Sequence, residues 1–267
     1  MAHFPSDSKS WVLITGASSG IGEVFAKRFA HEGWNLILTA RSADKLQSLA
    51  QLLAKEEGAE VIVIPADLTD CKAPRRIYEE VKQKKIPLHG LVNNAGFGVR
   101  GKFVEAELDR YLAMIDLNVR ALIELTHLFL SQMIERKQGF IINLSSTASF
   151  HPLPYSSVYA ATKSFVTSFT EALWLETKGT GIRVLNLCPG VTKTNFGLAA
   201  GLRDFRMDSF AEEPEEVVET AFRALRGNAP TVISGFGNKF LVFLERFIPH
   251  RLLLRLAAVV QRIRGHV

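Results

Sequence analysis

Trp11-Val12-Leu13-Ile14-Thr15-Gly16-Ala17-Ser18-Ser19-Gly20-Ile21-Gly22 passes from a short apolar run, through a glycine-spaced turn, into a helical stretch at 20–32. A strand that feeds a helix through such a turn leaves unpaired N–H groups at the helix start, where an anion binds. Gly16 lets the chain turn tightly, while Gly20 and Gly22 let backbone approach a pyrophosphate and let the helix lie close on the sheet. The spacing is Gly-x-x-x-Gly-x-Gly rather than Gly-x-Gly-x-x-Gly.

The same strand-then-helix alternation continues outward from this turn. Apolar, β-rich runs at 35–39, 61–65, 90–92, 140–144, 182–187 and 231–233 are separated by helical stretches near 43–57, 71–85, 107–136, 155–178 and 214–226. Strands that are apolar throughout, interleaved with helices, indicate a parallel sheet covered on both faces. The expected fold is α/β, a doubly wound Rossmann-type sheet of about seven strands with a C-terminal amphipathic helical extension.

The chain has 267 residues, 47% of them hydrophobic, enough to bury one large core, and no composition break marks a linker. Residues 1–10 read as a short flexible lead, 11–238 as a single domain, and 239–267 as a basic tail. Cys71 and Cys188 lie far apart, with neither disulfide nor metal-ligand spacing, so a reducing, cytoplasmic setting is the default. The formal net charge is +5, and residues 239–267 hold six Lys or Arg and one acid, Glu245, which also gives +5. The main body is therefore neutral, and no nucleic-acid partner is expected. The basic residues lie on an apolar amphipathic tail instead of in a groove with stacking aromatics.

After the second strand stands Thr39-Ala40-Arg41-Ser42, where an NAD-preferring dinucleotide fold would usually offer a carboxylate to the ribose 2′-hydroxyl. No acid is present. Arg41 can instead pair with a 2′-phosphate through its fork of donors, with the Ser42 hydroxyl as a second donor, so NADP(H) is the expected cofactor.

Tyr159 and Lys163 stand four residues apart within the stretch 155–178. On a helix that spacing stacks phenol and ammonium on one face. A nearby positive charge should lower the Tyr pKa and fit it for acid–base work. Hydride transfer to a carbonyl builds negative charge on its oxygen, so a proton and a hydrogen bond must be supplied there.

Thr15 to Gly22, Asn93-Asn94-Ala95-Gly96, Asn118, Ser146, Tyr159 with Lys163, and Pro189-Gly190 together resemble the motif series of the short-chain dehydrogenases/reductases, over about residues 11–233. The glycine spacing and length resemble the compact single-domain branch. The resemblance implies that Tyr159 is the proton donor in reduction and that Ser146, thirteen residues earlier, polarises the substrate oxygen. Lys163 would tune Tyr159 and bond the nicotinamide ribose, and Asn118 would kink its helix and hold a water leading from Lys163 to solvent. It also implies cofactor contacts from Gly16, Ser18, Ser19, Gly20, Ile21, Gly22, Arg41, Ser42, Asp67, Leu68, Asn94, Ala95, Gly96, Pro189, Gly190, Thr192 and Thr194, with Asp67 at the adenine edge. The rival for Asp67 is a helix cap, a role that Thr69 or Asp70 would fill more naturally.

The loop within 193–213 carries Phe196, Leu198, Leu202, Phe205, Met207 and Phe210, and in this family it lies over the substrate. With Phe97, Phe150 and Leu153 it would suit a lipophilic ketone, aldehyde or acyl group, or else simply pack on the core. The tail reads as two helices split at Pro249, the second with Leu252, Leu253, Leu256, Val259, Val260 and Ile263 on one arc and Arg251, Arg255 and Arg262 on another. It should be covered by its own or a second subunit, as in a homodimer or tetramer, or lie peripherally on an anionic membrane. Two function classes remain. One is an NADP(H)-linked oxidoreductase acting on carbonyl or alcohol groups, and the other is a cofactor-binding regulator with little turnover.

Overall fold

The computed structural model describes residues 10–194, Phe196 and 211–263. Seven strands, β1 (Trp11–Thr15), β2 (Asn35–Thr39), β3 (Val61–Val63), β4 (Leu88–Asn93), β5 (Gly139–Leu144), β6 (Ile182–Cys188) and β7 (Thr231–Ile233), form one sheet in the order 3-2-1-4-5-6-7. All pairings are parallel. The strand order reverses between β1 and β4. A crevice at the carboxyl ends of the strands on either side of such a reversal is where open α/β sheets take ligands. The turn at Gly16 and the segment at Asn94 both open there.

Successive strand residues face opposite sides, so each strand feeds two cores. Val12, Ile14, Leu36 and Leu38 pack with Phe25 and Phe29 of α1 (Gly20–His31), Leu46 of α2 (Ala43–Glu57) and Phe222 of α7 (Pro214–Gly227). Leu13, Ile37 and Leu91 pack on the other side with Ile77 of α3 (Ala73–Gln83) and Phe129 of α5 (Leu122–Arg136). Phe29 sits at the centre of the first core, with its ring 5.5 Å from Phe140 and 4.7 Å from Phe222. Such pairs add about 0.5–1.5 kcal/mol each beyond their buried area.

One row of the sheet is polar. Asn93, Asn143 and Asn186 lie in register across β4, β5 and β6, and all three are buried. Asn93 donates to Asn143 at 2.8 Å and to Thr126 of α5 at 3.0 Å; Asn143 donates to Thr170 at 3.0 Å and Asn186 to Thr167 at 3.2 Å. Thr167 and Thr170 belong to α6 (Ser157–Glu176), so the row fixes α5 and α6 against the strand ends that carry the site.

The expected helices differ most in two stretches, and the one expected at 155–178 spans only Ser157–Glu176. The stretch 107–136 is α4 (Leu108–Ile115), a π-turn at Asp116–Ala121 and then α5. The expected helix at 71–85 begins only at Ala73, capped by Lys72, so neither Thr69 nor Asp70 is its N-cap and Cys71 lies in the preceding turn. The reason is local: Asp70 Oδ1 accepts from Lys72 N at 2.9 Å, which holds a turn open where the helix would have started. Ser10, expected in a flexible lead, is buried, and its carbonyl accepts from Asn35 N.

The tail forms α8 (Phe236–Glu245) and α9 (His250–Ile263), divided at Pro249 as expected. Val242 is buried, Asn238 Nδ2 donates to Glu212 at 3.2 Å, and Glu245 meets His151 at 3.0 Å, so α8 is fastened to the main domain. Leu252, Leu256 and Val259 on the outer arc of α9 are all exposed, and none of the described residues covers them. Among the described residues no helix is long and apolar enough to cross a membrane.

Candidate active site

The glycine turn is shaped by close approach. Gly16 and Gly20 have φ of +67° and +59°, left-handed values that disfavour other residues. A side chain at Gly20 would come within 2.9 Å of the Thr194 methyl group, so the segment after β6 lies directly over the turn. Thr15 Oγ1 accepts from the N–H groups of Asn94 and Ala95, both at 2.9 Å, and Asn94 Nδ2 donates to Thr15 O at 2.8 Å. Asn94 therefore ties β4 to the turn. Ser19 is the N-cap of α1 but makes no side-chain capping bond, which leaves the Ser18, Ser19 and Ile21 end of the helix open to an anion.

Arg41 and Ser42 follow β2 and are both exposed, Ser42 makes no capping bond, and Arg41 has no ion-pair partner among the described residues. Asp67 is also exposed, and its Oδ1 accepts from the amide of Thr69 at 3.0 Å and its hydroxyl at 2.8 Å. It closes a local turn through that one oxygen. The Leu68 side chain is buried, so only its backbone could meet a ligand.

Ser146 extends from the end of β5; its hydroxyl accepts from Ala148 N at 3.1 Å and lies close enough to Tyr159 to pull the phenol's pKa down. The neighbouring Ser145 is buried and committed to Lys163 O and Thr167 Oγ1, both at 2.8 Å. Ser145 therefore belongs to the scaffold, while Ser146 stands beside the tyrosine. Tyr159 and Lys163 share one face of α6, with Lys163 Nζ 5.8 Å from the Tyr159 ring centre. Asn118 lies in the π-turn, accepts from Phe97 N at 3.1 Å and donates to Phe97 O at 3.0 Å and Thr162 Oγ1 at 3.1 Å. Thr162 Oγ1 in turn donates to Tyr159 O at 2.7 Å. The π-turn is what aims Asn118 inward, and such bulges gather at functional positions. A side chain at Gly96 would meet Asn118 Oδ1 at 3.0 Å and Lys163 Nζ at 3.5 Å, so the β4 segment closes on the same spot.

The electrostatics depart from expectation. Tyr159 is pushed up to about 12 by burial, partly offset by the nearby Ser146, and Lys163 is pushed down to about 8 by burial. Lys163 does not lower the phenol as the spacing predicted. Its Nζ donates to Leu144 O at 2.8 Å, and loss of hydration weakens both charged forms together. Tyr159 is a protonated donor throughout the neutral range. Because folded Lys163 gives up its proton below its ordinary 10.5, the unfolded chain binds more protons between about pH 8 and pH 10. Stability from this group is therefore expected to rise with pH across that window. Urea midpoints at pH 7, 8, 9 and 10 should climb in wild type relative to Lys163→Met, and parallel curves would contradict the shift.

On the reacting side, the rings of Tyr159 and Phe196 lie 5.7 Å apart, and a side chain at Gly98 would touch both at 3.4 and 3.6 Å. Phe97, Val158 and Tyr159 pack around Val99, Tyr111 and Met114. The wall beside the phenol is apolar. Leu198, Leu202, Phe205, Met207 and Phe210 lie outside the described residues.

Sequence reasoning missed Glu212, whose carboxylate accepts from Ser234 at 2.9 Å and Asn238 at 3.2 Å and whose backbone bridges Val191 and Lys193. It holds Pro189, Gly190, Thr192 and Thr194 in place, with Thr192 buried and its hydroxyl donating to Gly190 O at 3.2 Å. Glu212-Glu213-Pro214 reads only as a helix start, and nothing local signals a clamp.

Residues 10–201 match the short chain dehydrogenase family. Sulfoacetaldehyde reductase 2 of Chromohalobacter salexigens is 40% identical over 189 residues, 70% of this chain and 74% of that protein. A short-chain dehydrogenase from Sphingobium yanoikuyae, solved in complex with NADPH, is 33% identical with a TM-score of 0.80 over 84% of this chain and 87% of that one. A 7β-hydroxysteroid dehydrogenase is 28% identical with a TM-score of 0.85, over 93% and 96% of the two chains. Motif order, sheet topology and these likenesses agree, and the chain belongs to the short chain dehydrogenase family of oxidoreductases.

Proposed function

We propose that this protein is an NADP(H)-dependent oxidoreductase acting on a carbonyl or alcohol group of a lipophilic substrate. The observation that carries the reading is the convergence of Ser146, Tyr159 and Lys163, with Asn118 bracing them, beside the glycine turn.

The residues fit the cofactor. The left-handed glycines and the uncapped start of α1 make a cradle for a pyrophosphate, and Thr194 lies over it. Arg41 and Ser42 suit a 2′-phosphate, with no carboxylate at the end of β2 to repel it. The NADPH bound by the Sphingobium relative supports the same choice. When bound, NADPH supplies the hydride. Ser146 holds the substrate oxygen by hydrogen bond, and Tyr159 delivers the proton to that oxygen as negative charge develops. Burial keeps the phenol protonated until that demand arises. Lys163, buried one helical turn from Tyr159, would hold the cofactor ribose and help replace the proton.

The apolar wall of Phe97, Gly98, Val158 and Phe196 supports a lipophilic substrate over a small charged one. The likeness to the steroid dehydrogenase structure, over 93% of this chain, supports the same reading. A regulator without turnover would have no use for the assembled trio. Homo-oligomer formation is supported by exposed Leu108, Leu112 and Ile115 along one side of α4, and a reducing cytoplasm by the free thiols of Cys71 and Cys188. The test is a panel of steroid and aryl ketones beside small anionic aldehydes, followed by NADPH absorbance. The reading expects kcat/KM at least about tenfold higher for the apolar group, and preference for the anionic aldehydes would reject the substrate class.

A further inference from the structure

We infer that α8 and the turn after it form a docking face for an anionic lipid bilayer, built from an aromatic stripe with a basic border. Phe236, Phe240, Phe243 and Phe247 recur at i, i+4, i+7 and i+11, and at ~100° per residue they fall on one side of the helix. They are 85%, 53%, 54% and 71% exposed. Single exposed apolar residues are ordinary, but four phenylalanines in one continuous strip form a patch that calls for a partner.

The opposite side of α8 is occupied. Val242 is buried, Asn238 bonds Glu212 and Ser234 O, and Glu245 meets His151. The helix is therefore held with its aromatic side outward, and it cannot roll that side inward without breaking three attachments.

Charge selects the occupant. Residues 239–267 carry a net +5 and residues 1–238 sum to zero. The only acid of the segment, Glu245, is spent on His151, while Lys239, Arg246, Arg251 and Arg255 are exposed. Lys239 and Arg246 sit three and ten positions after Phe236, along one margin of the stripe. Aromatic rings backed by cations match a surface that is apolar within and negative at its edge, which describes an anionic bilayer. A second copy of the chain would set like charge against like charge on this face. Since α8 is fastened to the segment after β6, docking holds that side of the site against the membrane. The inference does not depend on the proposed reaction, because its readout is partition onto lipid.

The experiment is co-sedimentation of the full chain with vesicles of phosphatidylcholine mixed with phosphatidylglycerol, and of phosphatidylcholine alone, at low and high salt. Wild type is expected to bind the mixed vesicles and to lose on the order of tenfold or more in affinity at high salt. The triple variant Phe240→Ser, Phe243→Ser, Phe247→Ser is expected to bind on the order of a hundredfold more weakly while keeping its circular dichroism and NADPH affinity. Lys239→Gln with Arg246→Gln should erase the preference for phosphatidylglycerol but keep the fold. Failure of wild type to bind mixed vesicles at low salt overturns the inference. So does a lipid-free dimer, seen by sedimentation equilibrium, that the triple variant dissociates, since the stripe would then be a subunit interface.

Discussion

Tyr159→Phe is expected to retain near-normal NADPH affinity and to lose turnover by on the order of 10²-fold or more. Only the hydroxyl is removed. The ring keeps its place against Phe196 and Gly98, and the bond from Thr162 goes to backbone, so the site should remain assembled. The lost group is a phenol beside Ser146 that burial holds protonated. Steady-state rates with the best carbonyl substrate and a fluorescence titration with NADPH separate the two effects. A variant that kept half of the wild-type rate would show that the proton comes from elsewhere.

The second large effect concerns cofactor choice. Arg41 stands exposed after β2, with no ion-pair partner among the described residues. A charge-assisted bond to a 2′-phosphate is worth about 1.5–3 kcal/mol, so Arg41→Asp should weaken NADPH by roughly tenfold to a hundredfold or more. The new carboxylate also accepts from a free ribose hydroxyl, and the preference should turn toward NADH. Titrating wild type and variant with both cofactors checks this. Tighter binding of NADH by wild type would remove Arg41 from its role.

How much of this was legible in the sequence follows from the range of the forces involved. The sheet could be read because each parallel strand is an apolar run bounded by turn residues, a signal contained in a few neighbouring positions. The glycine turn was legible because left-handed backbone at Gly16 and Gly20 demands that residue type. The thirteen-residue spacing to Tyr159 that the family resemblance implies points to Ser146, and its neighbour Ser145 is committed to Lys163 O and Thr167.

What stayed hidden depends on contacts between distant segments. The clamp of Glu212 on Ser234 and Asn238 spans more than twenty residues, and the Asn93–Asn143–Asn186 row exists only once three strands are in register. The direction of the Tyr159 pKa is hidden for the same reason. A helix spacing reports that a lysine is near, but not that burial raises the phenol and lowers the ammonium, nor that Leu144 O takes the ammonium bond. Both tail helices read as amphipathic from the sequence, the second in residue-by-residue detail. The fuller aromatic stripe on α8 emerges only when Val242, Asn238 and Glu245 show which side is turned inward.

The central claim is that this site moves hydride from NADPH to a carbonyl carbon while Tyr159 supplies the proton to its oxygen. The most direct measurement uses NADPH dideuterated at the nicotinamide carbon that gives up hydride, an apolar ketone, and mass spectrometry of the alcohol formed. The account predicts one deuterium on the carbinol carbon with wild type and, over the same interval, almost no labelled alcohol with Tyr159→Phe. Alcohol formed without deuterium, or equal labelling by the two proteins, would contradict it.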